Sequence, residues 1–161
     1  MKVEKAKKRE IKFTNSMFSV STLLSDMKSL LEDKGYTFVE KEQSVKDGKY
    51  GREIVFKVEG EKEIDEFAKT QIMFDCEFEN LKKIKLNNVV LDKGDLFIVI
   101  KGGTVYDYKN KWGKNSFSKF LFGLYMRYFY GKKAKEKYID KLDDETLTMY
   151  NYLLEKIEFP V

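Results

Sequence analysis

The sequence predicts an α+β fold, an antiparallel meander of five to seven strands packed against C-terminal helices. Three observations carry that expectation. The middle of the chain alternates apolar and polar residues in short runs separated by Asp, Asn and Gly, the pattern of strands with one wet face. Both flanks instead repeat apolar residues at helical spacing. Proline occurs once in 161 residues, so little breaks these runs, and 42% hydrophobic residues suffice for the core of a single domain spanning 1–161.

Taken in order, residues 1–8 read as a flexible basic N-terminus. "REIKFT" follows as a short strand with Ile11 and Phe13 on one face. In "NSMFSVSTLLSDMKSLLEDKG" the residues Val20, Leu23, Leu24, Met27, Leu30 and Leu31 fall on one helical face, with Ser16 or Ser19 as N-cap and Gly35 as C-terminal cap. "YTFVEKEQSV" and "REIVFKVEG" form a hairpin across Asp47-Gly48. "FAKTQIMFDCEFEN" sends Ile72, Phe74, Cys76 and Phe78 inward and Asp75, Glu77 and Glu79 outward. "KKIKLNNVVL", a turn at "DKGD" and "LFIVIKGGTVYDY" complete the meander, with Gly102-Gly103 a tight turn or a bulge. A helix is expected over 116–130, interrupted at Gly131. A last helix capped by Asp143 carries Leu147, Tyr150, Leu154 and Ile157.

Charge is polarised along the chain. The net charge is +4, yet 101–141 holds eleven Lys and Arg against three acids, and 59–79 holds eight acids against two lysines. Only three of the 31 cationic residues are Arg, which disfavours sequence-specific reading of nucleic acid. Lys132, Lys133, Lys135 and Lys137, with the N-terminal lysines, form a basic patch suited at most to weak, non-specific phosphate contacts. No apolar run reaches the roughly 20 residues of a membrane span, and the start lacks the apolar segment of a signal peptide. The expected compartment is the cytoplasm, and the single cysteine agrees with it.

Much chemistry is excluded. Without histidine there is no Ser-His-Asp or Cys-His catalysis and no histidine-ligated metal. "KGGT" is no phosphate loop, and no metal or cofactor is expected. Cys76, between inward-facing Phe74 and Phe78, reads as a small core residue.

Candidate binding residues gather near the end of the sheet. If Val105 points inward then so does Asp107, whereas the opposite register buries Tyr106 and Tyr108. Trp112 anchors the following loop or walls a ligand. In the helix 116–130, apolar side chains cover roughly 240° of arc, more than one sheet contact needs. Phe117, Phe120, Leu121, Leu124 and Tyr128 form the stripe expected on the sheet. Phe122, Met126 and Phe129 fall outside it and are interface candidates, for neighbouring helices, a second subunit, a ligand or a membrane surface.

The element order resembles the helix-grip fold of START-like lipid- and polyketide-binding proteins, although this chain has one helix after the first strand where that fold has two. The resemblance implies a curved sheet wrapped on a long C-terminal helix with a cavity between them. "LLEDKGYTF", "DYKNKW" and "FLFGLYMRYFY" are similar to segments of small archaeal proteins without assigned activity, which implies an archaeal source and nothing about function.

The function expected is that of a non-catalytic binding protein. Its apolar, aromatic site lies between the sheet and the C-terminal helices, lined by Asp107, Tyr106, Tyr108, Trp112, Phe120 and Leu124. A hydrophobic small molecule or a protein partner suits it, and a homo-oligomer is compatible. The alternatives are a non-specific nucleic-acid-associated protein using the lysine patches and an enzyme with an Asp/Tyr acid–base site.

Overall fold

A computed structural model describes residues 2–110, 115–130 and 135–160. Six antiparallel strands form one sheet: β1 (Lys2–Lys5), β2 (Arg9–Phe18), β3 (Thr37–Asp47), β4 (Arg52–Glu63), β5 (Ala68–Leu86) and β6 (Val89–Tyr106). The spatial order is β1-β6-β5-β4-β3, and β2 continues β1 along the same edge of β6. The helices are α1 (Val20–Asp33), α2 (Ser116–Tyr125), which passes into a π-helical turn at Met126–Tyr130, and α3 (Asp140–Glu158), preceded by a second π-helical turn at Lys135–Ile139. The α+β architecture with a long C-terminal helix is the one predicted.

Each predicted element forms for a local reason. Ser19 caps α1 by accepting the Thr22 N–H, and Asp92 of β6 accepts the Val20 N–H at 3.0 Å, so two oxygens meet the free donors of the first turn. The helix ends in a Schellman motif: Gly35, at φ +85°, donates to the Glu32 carbonyl and Tyr36 donates to that of Leu31. Val20, Leu23, Met27 and Leu31 are its buried face. They join Phe18, Phe56, Phe74, Phe78, Ile98 and Ile100 from the sheet and Leu142, Met149, Leu153 and Ile157 from α3 in one core. Each such side chain contributes roughly 1.5–3 kcal/mol by leaving water.

Several expectations need correction. Residues 2–5 do not form a free tail: Lys2–Lys5 is a strand paired with Tyr106–Gly103, because backbone groups beside an open edge of β6 gain partners there. "DKGD" is not a turn. The reversal comes later, at Asn87-Asn88, whose φ of 49° and 66° fit the type I′ hairpin that asparagine tolerates. "DKGD" instead lies inside β6, with Gly94 opposite the β-bulge between Glu79 and Lys82 on β5 and Asp95 opposite the one between Phe13 and Ser16 on β2. A Cβ on Gly94 would lie 2.6 Å from the Glu79 carbonyl oxygen, so only glycine permits that approach. Gly102-Gly103 is no turn either. Pairing with β5 runs through it unbroken, and the register changes on the other side, where residues 6–8 separate β1 from β2. Gly102 leaves room for Leu142 of α3.

The faces of two helices were also misassigned. In α3 Ile157 is buried and Tyr150 and Leu154 pack half-buried on the core as expected, but Leu147 is exposed and the centre of the face is Leu142, Thr146, Met149 and Leu153. Asp143 is not the cap, because the chain enters α3 directly from the π-helical turn. It binds the N-terminal strands instead: its carboxylate accepts the Lys7 N–H at 2.8 Å and its carbonyl accepts from Arg9 at 3.1 Å. The second helix presents Phe122 and Met126 inward, while Phe117, Phe120, Leu121, Leu124 and Tyr128 are exposed. Phe67 makes that choice, with ring centroids 5.7 Å from Phe122 and 5.6 Å from Tyr125. The Phe129 side chain lies outside the described residues.

Candidate functional site

The strand face under α3 is mostly apolar, but Thr70 takes a turn in the inward alternation Ala68, Thr70, Ile72, Phe74 of β5, and its cross-strand partner on β6 is the buried Thr104. Three further polar side chains reach that point. The Schellman motif delivers Tyr36, Lys62 comes from the end of β4, and Glu145 comes from the second turn of α3. The buried Tyr36 hydroxyl donates to Glu145 Oε2 at 3.0 Å and accepts from Thr70 Oγ1 at 3.2 Å. The Lys62 ammonium lies 3.9 Å from Glu145 Oε1 and 4.9 Å from the Tyr36 ring centroid, and it donates to the Lys34 carbonyl at 3.0 Å. Burial pushes the Tyr36 phenol well above its ordinary pKa, and the Glu145 charge adds to this, so it stays a neutral donor at physiological pH.

A cavity of about 230 Å³ opens beside this group. Ile64, Tyr138 and Leu142 supply apolar wall, with Lys137 and Lys141 exposed at its edge. Lys62, Lys137 and Lys141 outnumber the acids Glu63 and Glu145, leaving the lining one positive charge in excess. A larger depression of about 540 Å³ lies under the start of α1, among Leu24, Ile54, Leu81, Arg52 and Lys83. Its buried carboxylate, Asp92, is already occupied by the Val20 N–H and by Lys83 at 2.8 Å. Among the described residues no cluster of His, Cys, Asp and Glu is placed to hold a metal ion.

The residues singled out from the sequence are not brought together. Tyr106 and Asp107 are both buried, which neither alternation register allows for. β6 ends at Tyr106, and Asp107 turns the chain with φ +53° while its N–H donates to the Phe67 carbonyl at 2.6 Å. The Tyr106 hydroxyl donates to Glu4 of β1 at 3.4 Å, and that of Tyr108 donates to the Asp65 carbonyl at 2.8 Å and fastens the loop between β4 and β5. Phe120 and Leu124 stand on the exposed side of α2, and Trp112 lies outside the described residues. Of the basic patch, Lys137 borders the cavity. Lys132, Lys133 and the Lys135 side chain lie outside the described residues.

Sequence reading missed Tyr36, Lys62, Thr70 and Glu145. One signal was available: extending the inward face of β5 by two positions places a threonine between the apolar Ala68 and Ile72 of the same strand face. No known protein family's model matches the chain, and no curated protein matches it. The likeness to helix-grip proteins therefore rests on an antiparallel sheet and a long C-terminal helix alone.

Proposed function

We propose that the protein binds a small molecule with an apolar body and a single negative charge in the cavity between β4, β5 and α3. The convergence of the buried Tyr36–Glu145 pair with a lysine-bearing rim carries this reading. The apolar walls favour a ring or short branched chain, and the excess positive charge of the lining favours a monoanion. Size narrows the class. A water takes roughly 30 Å³ in the liquid, so 230 Å³ matches about eight water-sized groups, the scale of a small ring acid such as benzoate rather than of a long acyl chain. The helix-grip likeness supports the same location, since ligands of that fold lie between sheet and C-terminal helix.

Native mass spectrometry of freshly purified protein, together with thermal melts against a panel of aromatic and branched monocarboxylates, tests the proposal. Ligand at about 100 times Kd stabilises by roughly 2.7 kcal/mol, a shift of several degrees for a chain of this size. Ile64→Trp, which fills the cavity, should abolish the shift, and Lys141→Glu should weaken it. Absence of both a retained mass and a shift with the wild-type protein would overturn the reading.

A further inference from the structure

Among the described residues, no element covers the outer face of α2. Phe117, Phe120, Leu121 and Leu124 fall within roughly 100° of arc, and Tyr128 extends the row. Their exposures are 69%, 62%, 36%, 37% and 66%. Five large apolar side chains in one row differ from the scattered single residues of an ordinary surface. The helix itself is held to the sheet by its opposite side, through Phe122, Tyr125 and Met126 against Phe67, Ala68 and Tyr106. From Tyr108 to Lys135 the sequence contains eight Lys and Arg and no Asp or Glu. On the described helix, Lys119 and Arg127 are exposed.

From these two features we infer that α2 docks on an anionic lipid bilayer, lying in its interface with Phe117, Phe120, Leu121 and Leu124 in the acyl boundary and Arg127, beside that row, among the headgroups. Aromatic and leucine residues on one face with cations beside them are the composition of interfacial helices, whose binding combines apolar burial with attraction to anionic lipid. A second copy is a poor occupant. Two-fold contact through α2 would set one acid-free cationic segment against another. A protein groove is less suited too, since the row offers no side-chain hydrogen bonding apart from Tyr128, whereas protein interfaces carry about one hydrogen bond per 100–200 Å². As a nucleic-acid platform the row is interrupted by two leucines, which do not stack on bases. No described helix is long and apolar enough to cross a membrane, so the contact is peripheral.

The test is flotation of the full chain with vesicles of phosphatidylcholine and phosphatidylglycerol at roughly two to one, and with phosphatidylcholine alone. The wild-type protein should float with the anionic vesicles and fall at least tenfold in bound fraction without phosphatidylglycerol or at high salt. Phe120→Asp/Leu124→Asp should lose anionic binding at least tenfold while melting like the wild type, because both side chains are exposed. Arg127→Glu, at a position beside the row, should weaken it through charge alone. A wild-type protein that does not float, or a Phe120→Asp/Leu124→Asp variant that floats equally well, would overturn the inference. So would a wild-type dimer that this variant converts to monomer, or single-stranded RNA binding that it abolishes while vesicles are ignored.

Discussion

The backbone N–H of Asn15 donates to Asp95 Oδ1 at 2.8 Å, and the other oxygen of the same carboxylate accepts from the Asn80 side chain at 2.9 Å. Asn15 and Asn80 are the left-handed residues of the two bulges flanking β6, with φ of 49° and 57°. One carboxylate thus holds the irregular points of three neighbouring strands at one level. A third ladder shifts between Arg52 and Ile54, next to Gly51, where a Cβ would meet the Asn80 backbone at 2.7 Å. Bulges bend the strand that carries them, so this line is where the sheet turns.

These two hydrogen bonds hold the Asp95 carboxyl below its usual pKa. Its stabilisation is therefore present above the unfolded value of about 3.9 and lost as pH falls through the folded value. Asp95→Asn should cost about 1 kcal/mol at neutral pH, allowing for solvent screening. Melting curves of variant and wild type should converge in acid, and a constant gap down to about pH 2 would contradict the assignment.

Tyr36 and Tyr106 titrate in the opposite sense. Burial is the first cause in each, with the charges of Glu145 and Glu4 adding to it, and both folded pKa values lie above the unfolded value of about 10. Their contribution is complete below that value and declines as pH rises beyond it. Tyr36→Phe should destabilise by roughly 1–2 kcal/mol at pH 7 and flatten the alkaline limb of the stability profile, read by denaturant melts.

Glycine substitutions should separate close approach from open space. Gly94→Ala places a methyl group 2.6 Å from the Glu79 oxygen and should cost upwards of about 2 kcal/mol. Gly123→Ala, with nothing within 4 Å, should stabilise α2 by about 0.5–1 kcal/mol. Equal effects from the two changes would contradict the bulge geometry.

The orientation of α2 has its own stability signature. Met126→Ala should cost about 2–3 kcal/mol, whereas Phe120→Ser should stay within about 0.5 kcal/mol of the wild type. The reverse ranking in urea titrations would restore the face expected from the sequence.

Cys76 is fully buried against Met27, and burial raises its thiol pKa. A thiol reagent should therefore leave the native protein unlabelled over hours and react at once in denaturant. Rapid native labelling would mean that the strand opens locally.

Strand and helix identities were legible because their periodicities differ, and so were the Ser19 cap and the inward row from Ile72 to Phe78. The α2 face was not legible: an apolar arc of roughly 240° leaves several rotations equally acceptable, and the rings of Phe67, fifty residues earlier in the chain, decide among them. The Asn87-Asn88 turn was masked by "DKGD", a stronger turn signal whose glycine serves close packing instead. The polar cluster was invisible for a different reason. Tyr36, Lys62, Thr70 and Glu145 lie on four separate elements, and only the register of β4 on β5 and the rotation of α3 bring them together.

The tie between the first strands and α3 carries a temporal consequence. Arg9–Phe18 pairs with Asp92–Ile100, and Lys7 and Arg9 bind Asp143 and Thr146, so this segment has no neighbours of its own until most of the chain exists. At roughly 5–20 residues per second on the ribosome, the wait is about 4–28 s. During that interval an unpaired strand is exposed to other nascent chains. Its lysines, Lys5, Lys7, Lys8 and Lys12, are the kind of charge that discourages such pairing. They shield the segment before the partners that need it have been made.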